Sequence, residues 1–119
     1  MRDYKKIIAW QRAHELTLRL YKEAQSFPSE EKFGLTSQLR RAAYSVAANI
    51  VEGSGRGTKR EYCRFLQIAY ASLKEAEYFL LLARDLAYLE AEVHAELSEL
   101  VNGTFAPLQG LMKSVEKEI

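Results

Sequence analysis

A chain of 119 residues with 48% hydrophobic and 28% charged side chains has the size and balance of one soluble globular domain with a single core. Cys63 is the only cysteine, which excludes an internal disulfide and points to a reducing cytoplasm. No apolar run reaches the length of a membrane span, and MRDYKKIIAW mixes charge with apolar residues too early for a signal peptide, so no membrane partner is expected. The formal net charge of +1 hides an asymmetry: residues 1–34 carry seven Lys/Arg against five Asp/Glu, residues 35–71 six against two, and residues 72–119 four against nine.

The first predicted helix covers about residues 4–26. Trp10, Ala13, Leu16, Leu20, Ala24 and Phe27 step by threes and fours, which gives one buried seam. Phe27-Pro28-Ser29 ends it, because the residue before a proline is pushed out of the helical region. A short connection follows, up to Gly34.

The second helix spans about 35–53. Leu35, Leu39, Ala42, Val46 and Ile50 share one side, and Gln38, Arg41, Ser45, Asn49 and Glu52 form a narrow polar stripe beside them. Ala43, Tyr44, Ala47, Ala48 and Val51 make the remaining circumference small or apolar, which predicts burial on most sides, with a neighbouring subunit covering what one chain leaves open. The polar stripe reads as a bundle or oligomer interface, with Arg41 pairing with a carboxylate such as Glu52. Asn49 with Glu52 sets register or partner orientation rather than a reactive site.

Gly53-Ser54-Gly55-Arg56-Gly57 then stops the helix, on the expectation that glycines here take positive φ. Thr58-Lys59-Arg60-Glu61 is a capping box, so a third helix starts at about 58 and runs to 85. It keeps Tyr62, Phe65, Leu66, Ala69, Leu73, Ala76, Leu80 and Ala83 on one stripe, with Ile68, Ser72, Phe79 and Leu86 on a second. After Leu86-Ala87-Tyr88-Leu89, a fourth helix over about 90–116 turns Val93, Leu97, Leu100, Leu108, Leu111 and Val115 inward and Glu90, Glu92, Glu96 and Glu99 outward. Pro107 predicts a kink near 103–107 without a break. Four helices on short connections predict an all-α, antiparallel up-down-up-down bundle.

The glycine corner has two readings: an anion-binding nest formed with the first amides of the third helix, or a turn and nothing more. No strand precedes it, so it is not a dinucleotide fingerprint. The basic residues Arg40, Arg56, Lys59, Arg60 and Arg64 read either as a phosphate-neutralising surface for RNA or DNA or as structural pairs; no aromatic-interleaved platform for single strands is evident. Metal chemistry is excluded by spacing, since the positions three before His14 and His94 are Gln11 and Ala91, not the Glu of a di-iron bundle. Both histidines are expected at the surface, and Cys63 in helix packing. No catalytic set, cofactor or metal is expected.

The run LTSQLRRAAYSVAANIVEGSGR, followed by FLQIAYASLKEAE, with Trp10-Gln11-Arg12-Ala13 and Phe27-Pro28-Ser29-Glu30-Glu31 upstream, resembles the bacterial four-helix-bundle family encoded by intervening sequences in 23S ribosomal RNA genes. The resemblance covers about residues 4–89, with Ala71-Ser72 where the family often has Gly-Ser. It implies a ring-like homopentamer. It also implies kinship with the accessory variability determinant of diversity-generating retroelements, a basic pentamer that binds nucleic acid and a reverse transcriptase. The expectation is thus a non-enzymatic, homo-oligomeric bundle that binds nucleic acid through its basic corner. The alternative is a protein-interaction scaffold that uses the acidic fourth helix.

Overall fold

The computed structural model describes residues 2–119. Its main elements are α1 (Ile8–Ala24), α2 (Leu35–Ser54), α3 (Lys59–Asp85) and α4 (Ala91–Glu116), with short 3-10 turns at Tyr4–Lys6 and Ser29–Glu31 and no strand among the described residues. Each boundary has a local cause. Asp3 accepts from the Lys5 amide (3.1 Å) and caps a turn, after which Ile7 is extended. The first predicted helix is therefore two pieces, a 3-10 turn at Tyr4–Lys6 and α1, separated by the extended Ile7. Thr58 accepts from the Glu61 amide (3.2 Å), the predicted first half of the capping box. Pro107 lies inside α4, which runs unbroken through it; the carbonyl it deprives of a donor belongs to Gly103, which is exposed.

The helices pack in chain order, α1 on α2, α2 on α3, α3 on α4, and α4 back on α1. The predicted stripes supply the core: Ala13, Leu16 and Leu20 from α1, Leu39, Val46 and Ile50 from α2, Leu66, Leu73 and Leu80 from α3, Leu97 and Leu108 from α4. Each buried leucine contributes about 2 kcal/mol. The ion pairs lie at the surface, where each is worth under about 1 kcal/mol, so apolar burial holds the fold.

The second helix is covered more fully by its own chain than its composition suggested. Ala42, Ala43, Val46 and Ala47 are all buried because α2 lies between α1 and α3, and small side chains let both neighbours approach. Tyr44 and Ala48 stay exposed and Val51 half-buried. Along the α2–α3 contact, Arg41 meets Glu75 (2.8 Å), Ser45 meets Ser72 (2.9 Å) and Gly53 lies under Tyr62 and Phe65.

The corner glycines do not take positive φ. Gly55, after the last residue of α2, has φ −90°, so the chain turns there with ordinary right-handed dihedrals. Gly53 is required for a different reason. A Cβ on it would stand 2.9 Å from Tyr62 Cδ1, 3.0 Å from Phe65 Cβ and 3.3 Å from the Tyr62 carbonyl oxygen. Among the described residues, the one positive φ outside glycine is at Ala87, 64°. There the Tyr88 amide donates to the Ala83 carbonyl (2.8 Å) and the Ala87 amide to the Arg84 carbonyl (2.9 Å). This is a Schellman motif with alanine at the position glycine usually occupies.

Beyond that turn, Tyr88 packs on Phe27 (ring centroids 5.6 Å apart) and its hydroxyl donates to Glu31 Oε2 at 2.8 Å. The other Glu31 oxygen accepts from the Leu35 amide at 3.1 Å, capping α2. Donating to the Glu31 carboxylate favours the protonated phenol, so the Tyr88 pKa is raised.

Two substitutions should move stability in opposite directions. Gly53→Ala drives a methyl against the Tyr62 ring, the Phe65 Cβ and the Tyr62 carbonyl oxygen, and should cost about 1–3 kcal/mol. Ala87→Gly removes a left-handed alanine and should add about 1 kcal/mol. Urea titrations followed by circular dichroism, with the slope unchanged, check both.

Candidate nucleic-acid interface at the α2–α3 corner

The corner gathers side chains from four parts of the chain. Arg56 pairs with Glu52 (2.7 Å) and lies over the Phe65 ring, 4.7 Å from its centroid. Arg64 lies over the same ring at 5.3 Å. Arg60 and Arg64, one helical turn apart on α3, are exposed, and among the described residues neither forms an ion pair. Lys59 pairs with Glu118 from just beyond α4 (3.2 Å). From the N-terminal segment, Arg2 donates to the Ser54 carbonyl (3.0 Å) and lies 4.5 Å from the centroid of the Tyr62 ring. The Tyr62 hydroxyl is buried without a hydrogen-bond partner. Burial raises its pKa, Arg2 pulls against that and Glu118 adds to it.

Beside this cluster an open depression of about 790 Å³ lies between α3 and the end of α4, lined by Arg60, Glu61, Cys63, Arg64, Gln67, Glu116 and Ile119. The Cys63 thiol is buried, and burial pushes its pKa up, the reverse of what a nucleophilic thiolate needs. No group of three or more His, Cys, Asp or Glu is placed to hold a metal among the described residues. His14 is exposed and stacked on Trp10 at 4.9 Å. His94, expected at the surface, is half-buried, and burial lowers its pKa.

Arg56, Lys59, Arg60 and Arg64 are thus brought together, but Arg40 is not. It lies fourteen residues before the end of α2 at Ser54, about 21 Å along the axis. There it stacks on Tyr21 (4.9 Å) and donates to the Tyr21 carbonyl (3.3 Å). The polar stripe of α2 also resolves. Arg41 pairs with Glu75, not Glu52, and holds Gln38 (3.1 Å). Asn49 donates to the Ser45 carbonyl (2.8 Å) and hydroxyl (3.0 Å), and Ser45 bonds Ser72. Four of the five residues therefore serve the α2–α3 side of the chain's own packing or its margin, and Glu52 serves the corner.

Sequence reasoning missed Arg2, Glu116 and Glu118, which reach the corner from distant segments and leave no local signal. It also missed the role of Phe65. The adjacency Arg64-Phe65 was readable, but Arg56 comes onto the ring only because the glycine corner folds back over α3.

Fold and site together define a small all-helical protein with an aromatic-backed cationic corner. The chain belongs to the 23S rRNA-intervening sequence protein family, whose pattern matches residues 5–110. A solved protein of unknown function from the S23 ribosomal protein family of Bacteroides thetaiotaomicron shares the fold, with TM-score 0.82, 22% identity, and coverage of 89% of this chain and 96% of that one. No curated protein matches. Among the described residues, no helix is long and apolar enough to cross a membrane.

Proposed function

We propose that the protein is a non-enzymatic, homo-oligomeric nucleic-acid-binding module, and that the α2–α3 corner is its contact surface. The observation that carries this reading is the pair Arg60 and Arg64, exposed and, among the described residues, free of carboxylate partners beside Arg56 and Lys59. Cations not already neutralised within the fold are the ones that release counterions from a polyanion. One corner presents few of them, so repetition around an oligomer is part of the proposal: weak contacts on linked copies add through effective concentration. The short connections and the paired positions 41 with 75, 45 with 72 and 53 with 62 support the up-down-up-down order. Exposed Leu18, Tyr44, Ile68, Tyr78 and Leu81 support burial against further copies, a pentamer being the assembly that the sequence resemblance implies.

A scaffold role is the second reading. It is favoured by a smaller depression of about 310 Å³ between α3 and α4, lined by Glu77, Tyr78, Leu81, His94 and Ser98. A protein partner that remains bound to α4 after nuclease treatment would support it.

Fluorescence polarisation with RNA and DNA at low salt should show binding that falls steeply and log-linearly with salt. Arg60→Glu combined with Arg64→Glu should weaken it by tenfold or more, roughly 1.4 kcal/mol. Unchanged binding in that variant would remove the corner as the site. Sedimentation velocity should give an oligomer, and a well-folded lone protomer at micromolar concentration would remove the repeated surface.

A further inference from the structure

The depression beside the corner has the wrong lining for a phosphate track. Two arginines share it with two carboxylates, Glu61 and Glu116, and with the Gln67 amide, over an apolar wall of Cys63 and Ile119. Carboxylates repel phosphates, but they accept hydrogen bonds from the amino groups on base edges. Arg64 belongs to both features, lining the depression and lying over Phe65. A guanidinium backed on one face by an aromatic ring is held flat without losing its other face, which is free to stack on a base, or its edges, which donate to phosphate oxygens. Arg56 lies over the same ring and pairs with Glu52, outside the lining of the depression.

We infer that the corner takes single-stranded nucleic acid and seats an unpaired base in the depression between α3 and α4. Arg64 provides the stacking plane, and Glu61 and Glu116 accept from the exocyclic amino group of the base. This rests on the nucleic-acid reading above and narrows it. A duplex keeps its base faces in the stack, away from a guanidinium plane, and brings its phosphates up to the two carboxylates. Cytosine, adenine and guanine carry the amino group and thymine does not, so the site discriminates among strands of identical charge.

Polarisation titrations of the full chain with four fluorescent probes, each about fifteen nucleotides long, separate the possibilities: oligo-dC, oligo-dT, an abasic strand, and a duplex. Oligo-dC should bind tightest, about fivefold or more above oligo-dT and roughly tenfold or more above the abasic strand, with the duplex weaker than oligo-dC. Glu116→Ala should bring oligo-dC down to the oligo-dT value and leave the salt slope unchanged. Phe65→Leu, with its fold checked by circular dichroism, should weaken both base-bearing strands more than the abasic one. Equal affinity for the abasic strand and oligo-dC, equal affinity for oligo-dC and oligo-dT, or preference for the duplex would each overturn this inference while leaving a phosphate-binding corner in place. Absence of binding by all four probes would overturn both.

Discussion

The close approach of α2 and α3 is the constraint on which the rest of the structure depends. At Gly53 the two helices come within a distance that no Cβ could occupy, and farther along the seam the side chains remain small, with Ser45 against Ser72. That approach places Phe65 beside the end of α2, and the short turn through Gly55 and Gly57 then lays Arg56 over the ring. A wider seam would separate the two guanidiniums that share Phe65. The packing of the core and the electrostatics of the corner therefore have a common geometric origin.

The corner is less basic than the segment from which it was read. Residues 35–71 hold six cations and two acids, but folding brings Glu116 into the adjoining depression and Glu118 onto Lys59. Folding also brings Arg2. The result is a surface of mixed sign, where individual cations differ sharply in how free they are. Arg56 and Lys59 are paired with carboxylates, and among the described residues Arg60 and Arg64 are not. A mixed surface suits recognition of heterogeneous polar groups better than it suits a uniform polyanion.

The helices were largely legible in the sequence, because hydrophobic period and end signals act within one or two turns. The seam of Ala13, Leu16 and Leu20, the Thr58 cap and the end of α3 at Asp85 are local facts. The break at Ile7 was not legible in such signals. Gly53 was legible as a glycine position but for the wrong reason: the need is for space under Tyr62, not for left-handed dihedrals. Ala87 carries the left-handed residue with no glycine to announce it. In the candidate site, the cations adjacent in sequence were found and those contributed by contact were not. Arg41 with Glu75 and Lys59 with Glu118 join residues 34 and 59 positions apart, beyond the reach of any helical wheel.

The Glu31 carboxylate has a consequence for how the molecule breathes. With one oxygen on the Leu35 amide and the other on the Tyr88 hydroxyl, it ties the connection before α2 to the connection after α3. Loops usually fray one at a time, each with its own small opening free energy. Here neither can lift away without giving up a bond that also anchors the other. Amide exchange in the two segments should therefore report a shared event, and this end of the protein behaves as one cooperative unit instead of two independent hinges.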